Sequence, residues 1–365
     1  MTSEDQKKQI KSELVYERLS LDDLLGLSDL ISGMNKDSRE MYRIRSQSAE
    51  YYRWMYFKNP AGNASVFCAK HNGKIVSSFA MAPKKIQVGD KVVNGGKTMD
   101  MFTHPNYQGM GLMSRLGNMV FEDAKKRGIE FWYVTPSLNS YPIFMKKWGY
   151  VEKFELLFLV KIINSAEIIK SYTKSNFIKK MCDGVYDSTK KIIKILRVSS
   201  QKYEIEELKQ FDHETDSLWE QSRKPGCLSL SRESKYMNWR YFENPDDYRV
   251  LAFRKNGNMC GLVVIKITLR KGLFVGEIVD FFCLPQIKSI FQDMITSIAN
   301  ELSQKCCALL QTWVFENSWM ESDMKKVGLK IKRRKLKILM SPESPYPEIY
   351  NKDLWFFTQG DGNDI

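Results

Sequence analysis

The chain repeats itself. Tyr52-Arg-Trp54-Met-Tyr56-Phe57-Lys-Asn59-Pro60 returns as Met237-Asn-Trp239-Arg-Tyr241-Phe242-Glu-Asn244-Pro245, an offset of 185 at both Trp and Asn. Asn72-Gly73 returns as Asn256-Gly257 at 184, and Asp100-x-Phe102-x-x-Pro105 as Asp280-x-Phe282-x-x-Pro285 at 180. Asn139-Ser140 and Lys146-Lys147-x-Gly149 return as Asn317-Ser318 and Lys325-Lys326-x-Gly328, at 178 and 179. Matches in one order with a slow drift in offset mark a tandem duplication, so each copy must fold in the same way. The 365 residues, 43% hydrophobic, suffice to fill two cores.

Within copy one, Met99 to Thr103 reads as a strand that Pro105 ends. Tyr107-Gln108-Gly109-Met110-Gly111-Leu112 is a tight turn, and Leu112, Leu116, Met119, Val120 and Ala124 recur at helical spacing to about Lys126. Phe131 to Val134 is a second strand, and Tyr141 to Lys147 a short helix closed by Gly149. Upstream, Ala49 to Phe57 is a helix that Asn59-Pro60 stops. Val66–Lys70 and Lys74–Ala82 are strands joined by Asn72-Gly73, a type I′ pair. Ile86–Val88 and Lys91–Val93 flank Gly89-Asp90 as another hairpin, and Phe154 to Lys161 closes the copy. The expected fold class is α/β (α+β), a mixed, mostly antiparallel sheet with helices on both faces.

A strand, a glycine turn and a helix start form a seat for a phosphate: the first amides of a helix lack internal partners and carry partial positive charge. Glycine lets the backbone approach an anion closely, although packing alone also places glycines in such turns. The turn lacks the Gly-Lys-Ser/Thr of a nucleotide loop and the third glycine of a dinucleotide fingerprint. Copy two, with Pro285-Gln-Ile-Lys-Ser-Ile-Phe at this position, has no glycine and should not bind the same ligand.

The run His104-Pro-Asn-Tyr-Gln108-Gly-Met-Gly111, followed by Asn139 and Lys147-Trp-Gly149-Tyr150, resembles the GNAT superfamily of acetyl-CoA-dependent N-acetyltransferases, in its two-lobed branch. Its central motif, Gln/Arg-x-x-Gly-x-Gly/Ala, fits at Gln108 and Gly111, while Met113 stands where a small residue is usual. The resemblance implies acetyl-CoA as acyl donor. Met101, Phe102 and Thr103 would meet its pantetheine arm with their backbone and supply the oxyanion N–H. Gln108, Gly109, Met110, Gly111, Leu112, Met113 and Ser114 would wrap the diphosphate, with Asn139 and Phe144 also contacting the coenzyme. The tyrosine acid of the family falls on Met145, which cannot donate a proton. Tyr141, one helical turn earlier, is the substitute, or else an aromatic packed before Pro142. Asp100 is the nearest candidate base, though its copy at Asp280 speaks equally for a structural role. The terminal carboxylate of Ile365 is a further candidate base.

The resemblance divides the chain into a catalytic lobe at 12–163, a lysine-rich helical connector at 164–202, a degenerate lobe at 203–340 and a tail at 341–365. The connector could alternatively lie on a membrane surface. With 56 Lys+Arg against 43 Asp+Glu the net charge is +13, which suits a polyanionic ligand such as coenzyme A. No basic–aromatic stripe points to nucleic acid, and no apolar run of about 18 residues points to a membrane span. Seven scattered cysteines without C-x-x-C spacing and a polar N-terminus favour reduced thiols in a cytoplasm. Three unpaired histidines argue against a metal and, with Cys68, against a covalent acyl-enzyme. The expected reaction is direct acetyl transfer to a small-molecule amine, with an amino sugar or nucleotide-linked amino sugar as the acceptor. The rivals are an aminoacyl transferase of the peptidoglycan-bridge type and a non-catalytic binding module.

Overall fold

The computed structural model describes residues 3–37, 48–173, 202–287 and 289–362. Two compact units emerge. The first holds residues 1–152, 243–245 and 339–350; the second holds 153–242, 246–338 and 351–365. The lobe boundary expected at 163 therefore moves to 152. Phe154 to Lys161 leaves the first lobe because it pairs antiparallel with a strand of the second, Leu156–Ile162 against Leu309–Phe315. The first unit instead takes in Leu339 and Met340, which pair with Val134 and Tyr133. Each lobe is closed by a strand from the other copy's stretch of sequence.

The first unit contains α1 (Ser3–Glu13), β1 (Val15–Arg18), α2 (Leu24–Asp37), α3 (Ala49–Phe57), β2 (Ser65–His71), β3 (Lys74–Val88), β4 (Lys91–Thr103), α4 (Leu112–Lys126), β5 (Phe131–Val134) and α5 (Tyr141–Trp148). Strands β1 to β4 are antiparallel in sequence order, and β4 pairs parallel with β5. The separate strands expected between residues 74 and 103 join into one long hairpin, Lys74–Val88 against Lys91–Thr103, and Lys74–Val88 is buried at nearly every position. Asn72 and Gly73, both at positive φ (50° and 73°), make the β2–β3 turn as read from the sequence.

Helix α4 buries Leu112, Leu116, Val120 and Ala124 in a core with Phe79, Met81, Phe121, Trp132 and Phe144. Each of these leucine and valine side chains contributes about 1.5–3 kcal/mol. Gly117 lets Trp148 lie against the helix, since a Cβ there would come within 2.3 Å of the indole. Helix α2 covers another part of β3, where a Cβ on Gly26 would sit 3.6 Å from Ile75.

The second unit repeats the plan with β6 (Val151–Ile162, entering at residue 153), α6 (Ser165–Tyr172), β7 (Glu204–Leu208), α7 (His213–Ser222), β8 (Leu228–Leu230), α8 (Ser234–Met237), β9 (Arg249–Lys255), β10 (Asn258–Arg270), β11 (Leu273–Cys283), α9 (Ile290–Gln304), β12 (Leu309–Phe315), α10 (Trp319–Lys326), β13 (Lys330–Met340) and β14 (Trp355–Phe356). Strands β7, β9, β10 and β11 are antiparallel neighbours, and β11 runs parallel to β12. Of the connector, α6 is described, while 174–201 lie outside the described residues. The adjacent Cys306 and Cys307 part ways: Cys307 is buried, whereas Cys306 is exposed and takes φ 59°. Among the described residues no helix is long and apolar enough to cross a membrane.

Candidate active site

Two features of the first unit meet at the end of β4. Its parallel pairing with β5 covers only Gly95–Lys97 against Phe131–Tyr133, so the two strands part beyond Lys97. The other edge of β4 stays paired with β3, apart from a bulge in which Asp100 and Met101 oppose Phe79. Asp100 takes the positive φ that such a bulge needs (50°), and its Oδ2 accepts the Tyr56 hydroxyl at 2.7 Å. Burial, followed by the nearby Asp100 charge, holds the Tyr56 phenol well above its usual range, so Tyr56 donates permanently.

Met101, Phe102 and Thr103 are half-buried at the tip of β4. Ser77 Oγ donates to the Phe102 carbonyl at 2.9 Å and lies 2.8 Å from Thr103 Oγ1. Gln108 Nε2 reaches back to the Thr103 carbonyl at 3.3 Å, tying the turn to the strand. Gly109 and Gly111 take φ of 78° and 79°, and a Cβ on either would meet nothing within 4 Å. Helix α4 starts at Gly111 with no side-chain cap and no acidic residue in its first turn. The space over the turn is open and its amides face no carboxylate of their own helix, as an anion seat requires. Met110 and Leu112 send their side chains into the core, while Met113 and Ser114 are half-buried. The former pair can serve a ligand only through backbone.

Asn139 lies exposed in the turn before α5. Phe144 is fully buried, 4.8 Å from the Tyr150 ring and 5.2 Å from that of Trp148, so it holds α5 down rather than lining an open surface. Tyr141, half-buried at the start of α5, donates its hydroxyl to the Glu152 carboxylate. The pair can pass a proton from a group bound beside Tyr141 to Glu152. Neither Glu152 nor Tyr56 stands out in the sequence by local spacing, but the repetition of Tyr56 and Asp100 as Tyr241 and Asp280 does carry the second signal. Ile365 lies outside the described residues.

The second unit differs at both features. Its helix α9 also begins at a left-handed residue, Ser289 (φ 67°), so a helix start of the same hand forms there without glycine. What changes is its occupancy: Asp293 stands in the first turn, and Lys202 bonds both Asp293 (2.7 Å) and Ser289 (3.1 Å). Beyond the β11–β12 pairing, which covers Val275–Glu277 against Leu309–Gln311, the tail fills the second unit's cleft. Gln359 Nε2 donates to Glu277 at 2.7 Å and Thr358 Oγ1 to Asp280 at 3.1 Å. Arg232, 1% exposed, joins Asp280 (3.1 Å) to Asp361 (2.9 Å), while Tyr241 bonds Asp280 at 3.0 Å. Gly360 is packed so closely that a Cβ would lie 2.2 Å from the Tyr241 hydroxyl. Thr358, Gln359 and Asp361 of the tail are thus buried in the second unit.

The family described as Acetyltransferase (GNAT) domain matches residues 31–151. Those residues form a GNAT domain. The GNAT match ends one residue before the boundary of the first unit and takes in the strand end, the glycine turn, α4, β5 and α5. Solved structures share the fold over 90% of the chain. A probable N-acyltransferase from Enterococcus faecalis superposes with TM-score 0.59 at 12% identity, over 72% of its own length. N-myristoyltransferase from Saccharomyces cerevisiae with bound myristoyl-CoA gives TM-score 0.59 at 11% identity over 83% of its length. A tandem GNAT protein of the clavulanic acid pathway gives TM-score 0.59 at 11% identity over 98%. No curated protein matches the sequence. The tandem GNAT-like fold is that expected from the repeat and the resemblance together, and the GNAT-domain match supports an acyltransferase.

Proposed function

We propose that the first lobe transfers an acetyl group from acetyl-CoA directly to a small amine, with an amino sugar or a nucleotide-linked amino sugar as the acceptor class. The observation that carries this reading is the contrast between the lobes: one has an open strand edge beside an uncapped helix start, and the other has both features filled by its own chain. Coenzyme A would lay its diphosphate on the amides of Gln108 to Ser114. Its arm would lie along Met101 to Thr103, with Asn139 at the far side. The thioester supplies the acyl group. The amine nitrogen forms the new N–C bond, the C–S bond breaks, the amine loses a proton and the thiolate gains one.

An alkyl ammonium with a pKa of about 10.4 is only about one part in a thousand free base at pH 7, so a proton acceptor is required. We assign that work to Tyr141 backed by Glu152. Asp100 we assign to bracing the β4 bulge, because Asp280 makes the same tyrosine bond in a cleft filled by protein. A backbone N–H at the tip of β4 would hold the oxyanion, an interaction worth about 3–4 kcal/mol.

The test is release of free coenzyme A thiol across a panel of amino sugars, nucleotide-linked amino sugars and simple amines. Thiol release that depends on an amine, and falls about 100-fold in Tyr141→Phe, is expected. Binding of coenzyme A without amine-dependent release would leave a non-catalytic module, and tight tRNA binding with indifference to coenzyme A would favour aminoacyl transfer.

A further inference from the structure

A cleft of about 210 Å³ lies in the first unit, at the end of α4 away from the glycine turn, between the loop after α3, strand β3 and the residues that close the helix. Its shape depends on Asn59, which the repeat returns as Asn244. The Asn59 side chain accepts from the Ala61 amide at 3.0 Å and donates to the Pro83 carbonyl at 3.0 Å. The Gly62 amide donates to the Asn59 carbonyl at 2.9 Å. The loop of residues 59–62 is thereby pinned to β3, and that wall of the cleft is formed in advance of any ligand. Met81, Pro83 and Ile129 give the cleft an apolar floor.

The rim is cationic. Lys85 and Arg127 both line the cleft, and none of its lining residues is acidic. Lys85 Nζ donates to Asn94 Oδ1 at 2.7 Å, a neutral partner that leaves the ammonium charge uncompensated. Arg127 donates to Ser65 Oγ at 3.5 Å and stands 3.8 Å from Asp123, which already accepts from Ser65 at 2.6 Å and pairs with Arg18. Glu130, next in the chain to Ile129, accepts from the Tyr346 hydroxyl at 2.6 Å. The C-terminal end of α4 adds about half a negative charge, which two unit cations outweigh. Two cations above an apolar floor, with no carboxylate among the lining residues, suit a ligand with an anionic head and an apolar body.

We propose that this cleft binds a small amphiphilic anion, a carboxylate or phosphate monoester head on a short apolar body, at a site separate from the coenzyme seat. The head would lie between Lys85 and Arg127, and the body would cover Met81, Pro83 and Ile129. At about 30 Å³ per water the cleft holds the equivalent of about seven waters, room for a six-membered ring with its head group but not for a nucleotide. Helix α4, 15 residues long, separates the cleft from the glycine turn by about 22 Å at 1.5 Å per residue, so the two ligands would not touch. The site stands on its own lining and does not depend on the acyl-transfer reading.

The experiment is an NMR titration of the full chain with benzoate and with phenyl phosphate, using benzamide as the neutral analogue and acetate as a head without a body. At least one of the two aromatic anions should bind saturably, and the tighter of them identifies the head. Benzamide and acetate should each bind about tenfold more weakly. Lys85→Ala and Arg127→Ala should each weaken the anion about tenfold, and both side chains are exposed, so the variants should fold. Lys126→Ala, exposed on α4 outside the lining, should leave affinity unchanged, and saturating coenzyme A should not displace the anion. No saturable binding of either anion below about 10 mM overturns the inference. So does binding that Lys126→Ala weakens as much as Lys85→Ala, binding that neither Lys85→Ala nor Arg127→Ala alters, or displacement by coenzyme A.

Discussion

Replacing Gly111 by alanine separates the cost of a backbone conformation from the loss of a ligand. Gly111 holds φ 79°, and a Cβ there meets nothing within 4 Å, so no clash adds to the conformational cost. Forcing an L-residue into the left-handed region costs about 1–2 kcal/mol, partly offset by the stiffer unfolded chain at about 0.4–1 kcal/mol. The net is about 1 kcal/mol, a fall in Tm of about 2–4 °C for a lobe of this size. Binding should suffer more. The new methyl stands in the space assigned to the diphosphate, and each charge-assisted amide bond lost is worth about 1.5–3 kcal/mol, or at least tenfold in Kd. Gly128 supplies the control: it lies just past the far end of α4 with φ 77° and equally open surroundings. Gly128→Ala should therefore lower Tm by the same amount and leave Kd for coenzyme A unchanged. Scanning fluorimetry and calorimetry on both variants read the two quantities. If Gly111→Ala loses stability yet binds coenzyme A like Gly128→Ala, the diphosphate does not sit on this turn.

Other outcomes follow from the same geometry. Asp361→Asn removes one of two carboxylates from buried Arg232 and should cost about 3 kcal/mol in urea unfolding, with the Asp361→Asn/Arg232→Met pair costing less than the sum of the two. On α4, against the start of β2, Asp123 accepts from Ser65 and Arg18. Burial, the largest single influence, pushes its carboxyl up, but these bonds together pull it below its ordinary 3.8. A carboxyl depressed on folding stabilises above its unfolded pKa and loses that contribution as pH falls through the folded one. Stability of the wild-type chain should therefore drop more steeply below about pH 4 than that of Asp123→Asn, as read by thermal scans across pH.

Where the sequence was legible, local periodicity carried the information. Helix α4 and strand β5 fall on the residues that the apolar spacing and Gly128 mark out, because their ends are decided within a few residues. The glycine turn was legible for the same reason. Illegible were the pairings made at long range. Nothing local says that Leu339 and Met340 close the first sheet or that residues 156–162 leave it, since the alternating pattern of a strand names no partner. The tyrosine–aspartate pairs were half visible: the repeat displayed all four residues, but spacing alone does not tell a hydrogen bond from two independent core positions. Glu152 escaped notice because it reads as the polar position of a strand, and Arg232 because a buried arginine is recognised only through the two carboxylates that neutralise it. Sequence patterns show which residues face inward; which polar groups meet there is decided by the closed fold.

A crystal structure with coenzyme A bound measures the central claim most directly. The account predicts the diphosphate within hydrogen-bonding distance of the backbone amides of residues 108–114, the arm along residues 101–103 and the second lobe's cleft still filled by residues 358–361. Coenzyme lodged in the second lobe, or a first-lobe complex that leaves those amides untouched, would contradict it.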